Sequence, residues 1–299
     1  MASIADTAVT TAPRPARGPF MRFVVRLVRE KPLGAVCAAI FMLFLFCGIF
    51  ADVLAPYGMN QISPLNRLKP PSLQYPFGTD NLGRDMLSRC LYGAQLSVII
   101  GFCAAGLATI ISVVLGILTG YLGGKFDLVT QRFVDAWMSF PDLIILIVVV
   151  SVLGPGMPQI IATLGLLLGI AGSRIIRSAV VSVRENMYVH AAQSTGASTF
   201  RILWRHILPN VMPPVIVLFT TRLGVVILIE SGLSFLGLGV PPPAPTWGGM
   251  LSGAGRTFMY QGPWLALAPG LCLTVVVYAT NMFGDALRDL LDPRMRGSR

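Results

Sequence analysis

Charge is scarce in this chain: only 12% of its 299 residues are Asp, Glu, Lys or Arg, about half the roughly 25% usual in soluble domains. With 54% hydrophobic residues and a mean hydropathy of +0.72, a water-soluble domain is excluded and an integral membrane protein is expected. Acidic residues are the scarcer sign, 13 against 23 basic, for a net charge of +10. The basic residues flank apolar runs and form no continuous face, which excludes a nucleic-acid-binding protein. There are two histidines, His190 and His206, too few and wrongly spaced for a zinc site. Of the five cysteines (Cys37, Cys47, Cys90, Cys103, Cys272) four sit inside apolar runs. None has CxxC spacing, so they read as small buried apolar residues. No GxxxxGK[ST] loop is present; Gly120 to Lys125 (GYLGGK) is one residue short and runs into Phe126, so no nucleotide-binding loop is expected here. An intramembrane enzyme lacks its set too: there is no HExxH, no serine–histidine pairing within the apolar runs and no facing acid pair.

What is abundant is long apolar sequence. Residues 1–20 are Ala, Thr and Pro rich and expected to be disordered. Arg22, Arg26, Arg29 and Lys31 then precede a charge-free run from Leu33 to Ala51. That run meets the ~20 residues a bilayer crossing needs. The n-region is too long, and a small-x-small site too unclear, for a cleaved signal, so a retained first span is expected. Further spans are expected at 92–119, 129–152 (Asp135 and Asp142 near its start), 159–180, 211–237 and 264–286. The sequence from Gly154 to Pro158 punctuates the third and fourth. The polar connector 56–90 carries Pro56, Pro64, Pro70, Pro71 and the stretch Phe77 to Asp85. Asp80 and Asp85 lack the further oxygen ligands of a calcium loop, and Thr79 or Asp80 is expected to cap a short helix leading into the second span.

Six spans put both termini on one side. Seventeen Lys and Arg lie on that side and five (Arg67, Lys69, Arg84, Arg89, Arg256) on the other, with Arg222 inside span five. Cytoplasmic loops hold the excess of basic residues, so both termini and the polar insert 182–209 are expected in the cytoplasm. The chain divides into a basic N-terminal segment (1–31), the first span and its connector (32–90), a transmembrane domain (91–290) and a tail (291–299).

The insert is the most informative stretch. Ser182 to Thr195 can form a helix, Gly196 suits a left-handed stop, and Ser198 is a candidate N-cap for a second helix. In that helix Phe200, Leu203, Trp204 and Ile207 fall at i, i+3, i+4 and i+7, an apolar stripe, and Pro209 marks the start of span five. Two readings stand at this point: a docking element, or an amphipathic loop on lipid headgroups.

The run His190-Ala-Ala, three residues, Gly196, nine residues, His206-Ile-Leu-Pro209 resembles the EAA motif of permease subunits of binding-protein-dependent ABC importers. Phe77 to Asp85, Gly120 to Gly124, Leu233 to Gly239 (LSFLGLG), Pro245 to Gly248 (PTWG) and Gly284 to Pro293 (GDALRDLLDP) are similar to the C-type subunit of the dipeptide, oligopeptide and nickel permeases. The resemblance covers about residues 20–295. It implies an all-α integral membrane fold of six transmembrane helices, the type I ABC importer permease fold. It also implies a heterodimer with a homologous permease subunit, two cytoplasmic ABC ATPase subunits that bind ATP and Mg, and an extracytoplasmic substrate-binding protein. The chain itself would be a non-catalytic subunit in a prokaryotic cytoplasmic membrane, with no cofactor of its own. The EAA segment would be the coupling helix seated in an ATPase groove, a role carried here by His190, Ala191, Ala192, Gly196, Ala197 and Ser198. Where the motif has Glu this chain has His190, so a charge pair from that Glu to an ATPase arginine is not carried across.

Arg222 and Glu230 fall inside span five, where ionisable groups are costly and face protein or water. Eight residues apart, they are separated by about 12 Å of helix rise, so each needs a partner elsewhere. Glu230 either lines the translocation path or a gate, or it bonds to protein. Asp285, Arg288, Asp289 and Asp292 are expected to order the end of span six. A di- or oligopeptide substrate is favoured over nickel or glutathione. A self-sufficient secondary transporter would call for an internal repeat, and none is visible.

Overall fold

The computed structural model describes residues 19–291; the N-terminal stretch to residue 18, Asp292 and the basic tail after it lie outside them. In chain order the helices are α1 (Pro19–Glu30), α2 (Pro32–Ile49), α3 (Ala51–Leu54), α4 (Met86–Leu122), α5 (Gly124–Met138), α6 (Asp142–Leu153), α7 (Met157–Arg184), α8 (Met187–Ser194), α9 (Thr199–Ile202), α10 (Leu208–Phe235), α11 (Trp247–Met250), α12 (Arg256–Phe258) and α13 (Trp264–Leu291). α2, α4, α7, α13 and the continuous Thr199–Phe235 run are long and apolar enough to cross a bilayer, and α5 with α6 makes a sixth crossing if that bent pair is one span.

α2 opens on Pro32, whose fixed φ and missing N–H suit a first helical turn. Its buried residues Gly34, Cys37, Phe41, Phe44 and Gly48 recur at helical spacing on one face. Phe41 stacks on Phe283 of α13, with ring centroids 5.7 Å apart, and a side chain at Gly48 would meet Val98 and the Ala94 carbonyl of α4. α4 has 37 residues, about 55 Å at 1.5 Å per residue, and so projects beyond a hydrocarbon core of ~30 Å. The residue capping it is Asp85, which accepts from Ser88 N at 2.8 Å and from Ser88 Oγ at 2.7 Å, and not Thr79 or Asp80. Asp80 is instead used inside its own turn, where Oδ1 accepts from Leu82 N and Arg84 N at 2.8 and 2.9 Å.

The third crossing differs from the straight span expected over 129–152. α5 and α6 meet at 81° around Ser139–Pro141. Pro141 carries no N–H and biases the residue before it away from helix, so the turn falls there. α5 is held on α7 by ion pairs: Asp127 with Arg177, whose Nε donates at 2.6 Å, and Asp135 with Arg174. The 154–158 punctuation is where expected, with Gly154 at φ 86°. Before α10 the backbone widens into a π turn at Leu203–Ile207. Pro209 does not mark a fresh start, because helix runs through it from Thr199 to Phe235. A proline ring crowds the carbonyl four residues back, here Arg205, and the wider turn relieves that.

The tightest contact lies between α4 and α7. Side chains at Gly165 and Gly169 of α7 would strike Leu107 and Ile111 of α4, and side chains at Gly116 and Gly120 of α4 would strike Ile176 and Val180 of α7. Ser112 Oγ crosses the seam to the Gly169 carbonyl at 2.6 Å. Small residues let membrane helices approach closely enough for such contacts. Around this pair, α10, α13 and α2 close one apolar cluster that includes Phe44, Ile100, Leu164, Leu223, Val226 and Trp247. A side chain at Gly116 would lie 2.7 Å from Ile176 Cβ, 2.8 Å from Ser173 O and 2.9 Å from Arg177 N. Two of these are backbone atoms, so Gly116→Val should cost about 1–3 kcal/mol through overpacking. Thermal unfolding of the detergent-purified chain should show the loss, whereas Gly106→Val, with nothing within 4 Å, should unfold like the parent.

Candidate functional site

α7 ends at Arg184, whose Nη1 donates to the Tyr121 carbonyl of α4 at 2.9 Å. The helix expected over 182–195 is therefore two: Asn186 takes extended backbone and N-caps the new helix α8. α8 stops in a Schellman arrangement. Ala197 N donates to Ala192 O at 3.1 Å and Gly196 N to Gln193 O at 2.9 Å, with Gly196 at φ 75°. Ala192 and Ala197, the two residues such a motif brings together, both pack on the apolar cluster beneath. The Ala-x3-Gly-Ala spacing thus has a local cause: small residues where the turn folds back, glycine where φ is positive. Ser198 caps α9 as expected, its Oγ accepting from Arg201 N at 3.4 Å.

The expected apolar stripe divides. Ile207 is buried and Leu203 partly buried, but Phe200 and Trp204 are 76% and 67% exposed. Their rings stack outward, 7° from parallel with centroids 6.5 Å apart. The π turn rotates the positions after Leu203 away from the ideal helical face, and Ile202, outside the stripe, takes the inner position at 2% exposure. Val189, Ile202 and Ile207 interlock with Ile117 of α4, Ile176 and Val180 of α7, and Val211, Val215 and Leu218 of α10. His190, Ala191, Gly196 and Ser198 face outward beside Met187, which is 87% exposed. The result is an exposed knob seated on three long helices. Tyr121, inside the Gly120 to Gly124 stretch but given no role of its own by the sequence, ties it down twice: its carbonyl takes Arg184 and its hydroxyl accepts from Gln193 Nε2 at 3.2 Å.

Arg222 and Glu230 stand apart from the knob, Arg222 being about 22 Å along the helix from Ile207 at 1.5 Å per residue. Arg222 is 6% exposed. Its Nη2 donates to the Leu168 carbonyl of α7, and its Nη1 has no partner among the described residues. Gly172 makes room for the guanidinium, since a side chain there would overlap it. The expected partner outside its own helix is thus found. Glu230, 1% exposed, instead finds its partners within α10: Oε1 accepts from Ser234 Oγ at 2.6 Å and Oε2 from Ser231 Oγ at 3.4 Å. At the end of α13, Asp289 holds Lys31 at 2.6 Å.

Five or six helices fit to cross a membrane, carrying a firmly seated, exposed helix–turn–helix, make this a multi-pass membrane protein with an exposed helical insert. The chain belongs to the family of binding-protein-dependent transport system inner membrane components, whose family model matches residues 112–297; the N-terminal transmembrane domain of oligopeptide transport permease C matches residues 20–71. The dipeptide transport system permease protein of Alkalihalophilus pseudofirmus is 38% identical over 92% of this chain and 90% of its own length. A putative peptide transport system permease protein of Brucella suis is 37% identical over 99% of both chains. The glutathione transport system permease protein of Escherichia coli is 39% identical over 95% of this chain and 94% of its own. The fold is that of a chain of the inward-facing MetNI methionine ABC transporter, at a TM-score of 0.57 and 17% identity over 69% of this chain and 98% of that one. The chain is therefore a permease subunit of a binding-protein-dependent ABC importer, in a type I importer permease fold, and a multi-pass protein of the cytoplasmic membrane. This membership sets aside the secondary transporter.

The fit of Arg222 against α7 is testable apart from transport. Gly172→Ala should lower thermal stability by about 1–3 kcal/mol, as overpacking does. Combining it with Arg222→Met should cost less than the two single changes added together, because the shortened side chain vacates the clash. Strict additivity in that double-mutant cycle would show that the two positions do not compete for one space.

Proposed function

We propose that this chain forms, with a homologous permease subunit, the translocation path of a peptide importer, and that residues 182–209 are its coupling loop. The observation that carries this reading is the knob itself. The stacked rings of Phe200 and Trp204 form an exposed aromatic patch on it, Met187 is exposed as well, and Val189, Ile202 and Ile207 lock the insert to α4, α7 and α10. Large exposed apolar side chains in one patch mark a partner site, and a patch rigidly joined to three spans transmits displacement to them.

On this reading the partner is an ABC ATPase, two copies of which bind ATP and Mg, while an extracytoplasmic substrate-binding protein delivers substrate. Both termini and the knob face the cytoplasm on this reading, which the excess of Lys and Arg on that side supports. The dipeptide, peptide and glutathione names of the similar permeases favour a di- or oligopeptide. His190, Ala191, Gly196 and Ser198 form the docking face, and Ala192 and Ala197 fix its shape from beneath. Arg222 and Glu230 belong to the gate; in the conformation seen here Arg222 bonds to α7 through Nη2 while Nη1 has no partner among the described residues, and Glu230 bonds within α10.

Purification of the tagged chain from native membranes in mild detergent should bring with it a second permease and Walker-motif ATPases; a chain that came alone and transported alone would overturn the proposal. Position 196 tests the loop. Nothing lies within 4 Å of a side chain there, but φ is positive, so the cost of a β-branched residue is about 1–2 kcal/mol of backbone strain and not a clash. In the reconstituted complex Gly196→Val should leave membrane insertion and ATP hydrolysis in place and cut peptide uptake, and Gly196→Asn, which tolerates that backbone, should restore it. Normal uptake by the valine variant would remove the coupling role.

A further inference from the structure

At the end of the bundle opposite the knob, a cavity of about 370 Å³ opens between the start of α4, the end of α10 and the loop that follows it. Its polar lining includes Asp80, Arg84, Arg89, Ser234, Thr246 and Ser252. Gly237, Gly239 and the prolines 241–243 supply an uncharged wall. The cavity contains two guanidinium groups and one carboxylate, and that carboxylate is already used. Asp80 Oδ1 accepts from two backbone N–H groups, and Oδ2 accepts from Arg84 Nε at 2.6 Å. Arg89 Nε makes a second, longer ion pair with Oδ2 at 3.8 Å, too far for a hydrogen bond.

Arg89 is nonetheless 6% exposed. The one hydrogen bond of its side chain among the described residues is a long one, from Nη1 to the Met59 carbonyl at 3.4 Å. The other nearby carboxylate, Asp85, gives Oδ2 to Ser88 as the cap of α4; its buried Oδ1 has no hydrogen-bond partner among the described residues, and among these residues no ion pair joins it to Arg89. A buried cation with donors to spare is costly unless an anion completes it. The fork of a guanidinium matches a carboxylate, which it binds in bidentate fashion.

We propose that this cavity is a carboxylate subsite, in which Arg89, backed by Arg84, receives the C-terminal carboxylate of the transported peptide at the extracytoplasmic mouth. The proposal rests on the peptide-importer reading and adds the chemistry by which the permease holds its substrate. A terminal carboxylate is common to peptides of every sequence, so a site that reads it is indifferent to side chains. Ser234 lines the cavity and donates onward to Glu230, so an occupant would lie directly above the gate carboxylate. Arg84 makes the closer contact to Asp80, so Arg89→Gln removes the second cation of the cavity and leaves the hydrogen bonds of that turn in place.

The test uses the assembled complex of permeases, ATPases and binding protein in proteoliposomes, with trialanine and trialaninamide as probes. Arg89→Gln should slow trialanine uptake about tenfold, the loss of one charge-assisted contact, and leave the slower amide uptake unchanged. An equal fall for both probes would mean a structural role and overturn the proposal. A second readout needs no variant. In the wild-type complex without binding protein, trialanine should protect the Arg84 and Arg89 guanidinia from phenylglyoxal, read by mass spectrometry, and trialaninamide should not. Equal protection, no protection, or protection by peptide-free binding protein would each overturn the assignment, the last giving the cations to protein docking. A wild-type complex that imports no peptide would instead defeat the peptide-importer reading, and the protection experiment would still judge the carboxylate site by itself.

Discussion

The close approach of α4 to α7 is the constraint on which the rest of the molecule depends. Glycines on both helices, Gly116 and Gly120 on one and Gly165 and Gly169 on the other, bring the backbones near enough for Ser112 to reach the Gly169 carbonyl. In lipid there is no hydrophobic drive to press helices together, so packing and interhelical hydrogen bonds carry the association. The same seam leaves at Gly172 the space that Arg222 fills from α10. The third helix is thus keyed into the first two by a guanidinium whose one hydrogen-bond partner among the described residues is a backbone carbonyl.

From that seam the structure runs in two directions. Toward the termini, α4 and α7 extend past the apolar core and meet again through Tyr121 and Arg184, and Val189, Ile202 and Ile207 are wedged against their ends. Charged groups on this side are largely paired: Asp127 with Arg177, Asp135 with Arg174, Lys31 with Asp289. Partly exposed pairs of this kind contribute little each, but they fix the rotation of α5 about α7 and of α13 about the start of α2. Toward the other end, the Asp80 turn, the Asp85 cap and the loop after α10 build a polar mouth in which Trp247 Nε1 bonds to the Cys90 carbonyl at 3.1 Å and Trp264 Nε1 to the Thr79 carbonyl at 3.0 Å. The two indoles anchor connector segments far apart in sequence, where apolar rings with a polar N–H are suited to an interface.

These two ends have different mechanical characters. At the knob an exposed apolar surface is backed by buried branched side chains, an arrangement that transmits force without deforming, because packed interiors have little room to yield. At the mouth a cavity is walled by glycine and proline and supplied with cations. On the functions proposed above, these would be a rigid contact to a motor and a concave polar surface toward cargo, at opposite ends of the same long helices.

Much of this was legible in the one-dimensional pattern, for simple reasons. Length and apolar composition set the number of spans, since a bilayer demands about twenty such residues whatever the fold. Gly154, Gly196 and Ser198 announced their turn and cap because those roles depend on the local backbone alone. Where competition among neighbours decides, pattern was not enough. Asp85 and not Asp80 caps α4, because Asp80 is consumed by Arg84. The third crossing breaks at Pro141 for a local reason, but α5 is held on α7 by charges about forty to fifty residues away in sequence. Ile202 and Ile207, five residues apart, share the inner face because a π turn ahead of Pro209 shifts the helical phase, and Phe200 and Trp204 stay outside. The sequence by itself determined the class, the spans and the motif of the insert, all of which follow from short-range chemistry and from the solvent the chain is built for. Only the tertiary structure decided which side chain meets which, and so where Arg222, Glu230 and Arg89 find their partners, because a buried charge is placed by what surrounds it in space and not by what precedes it in the chain.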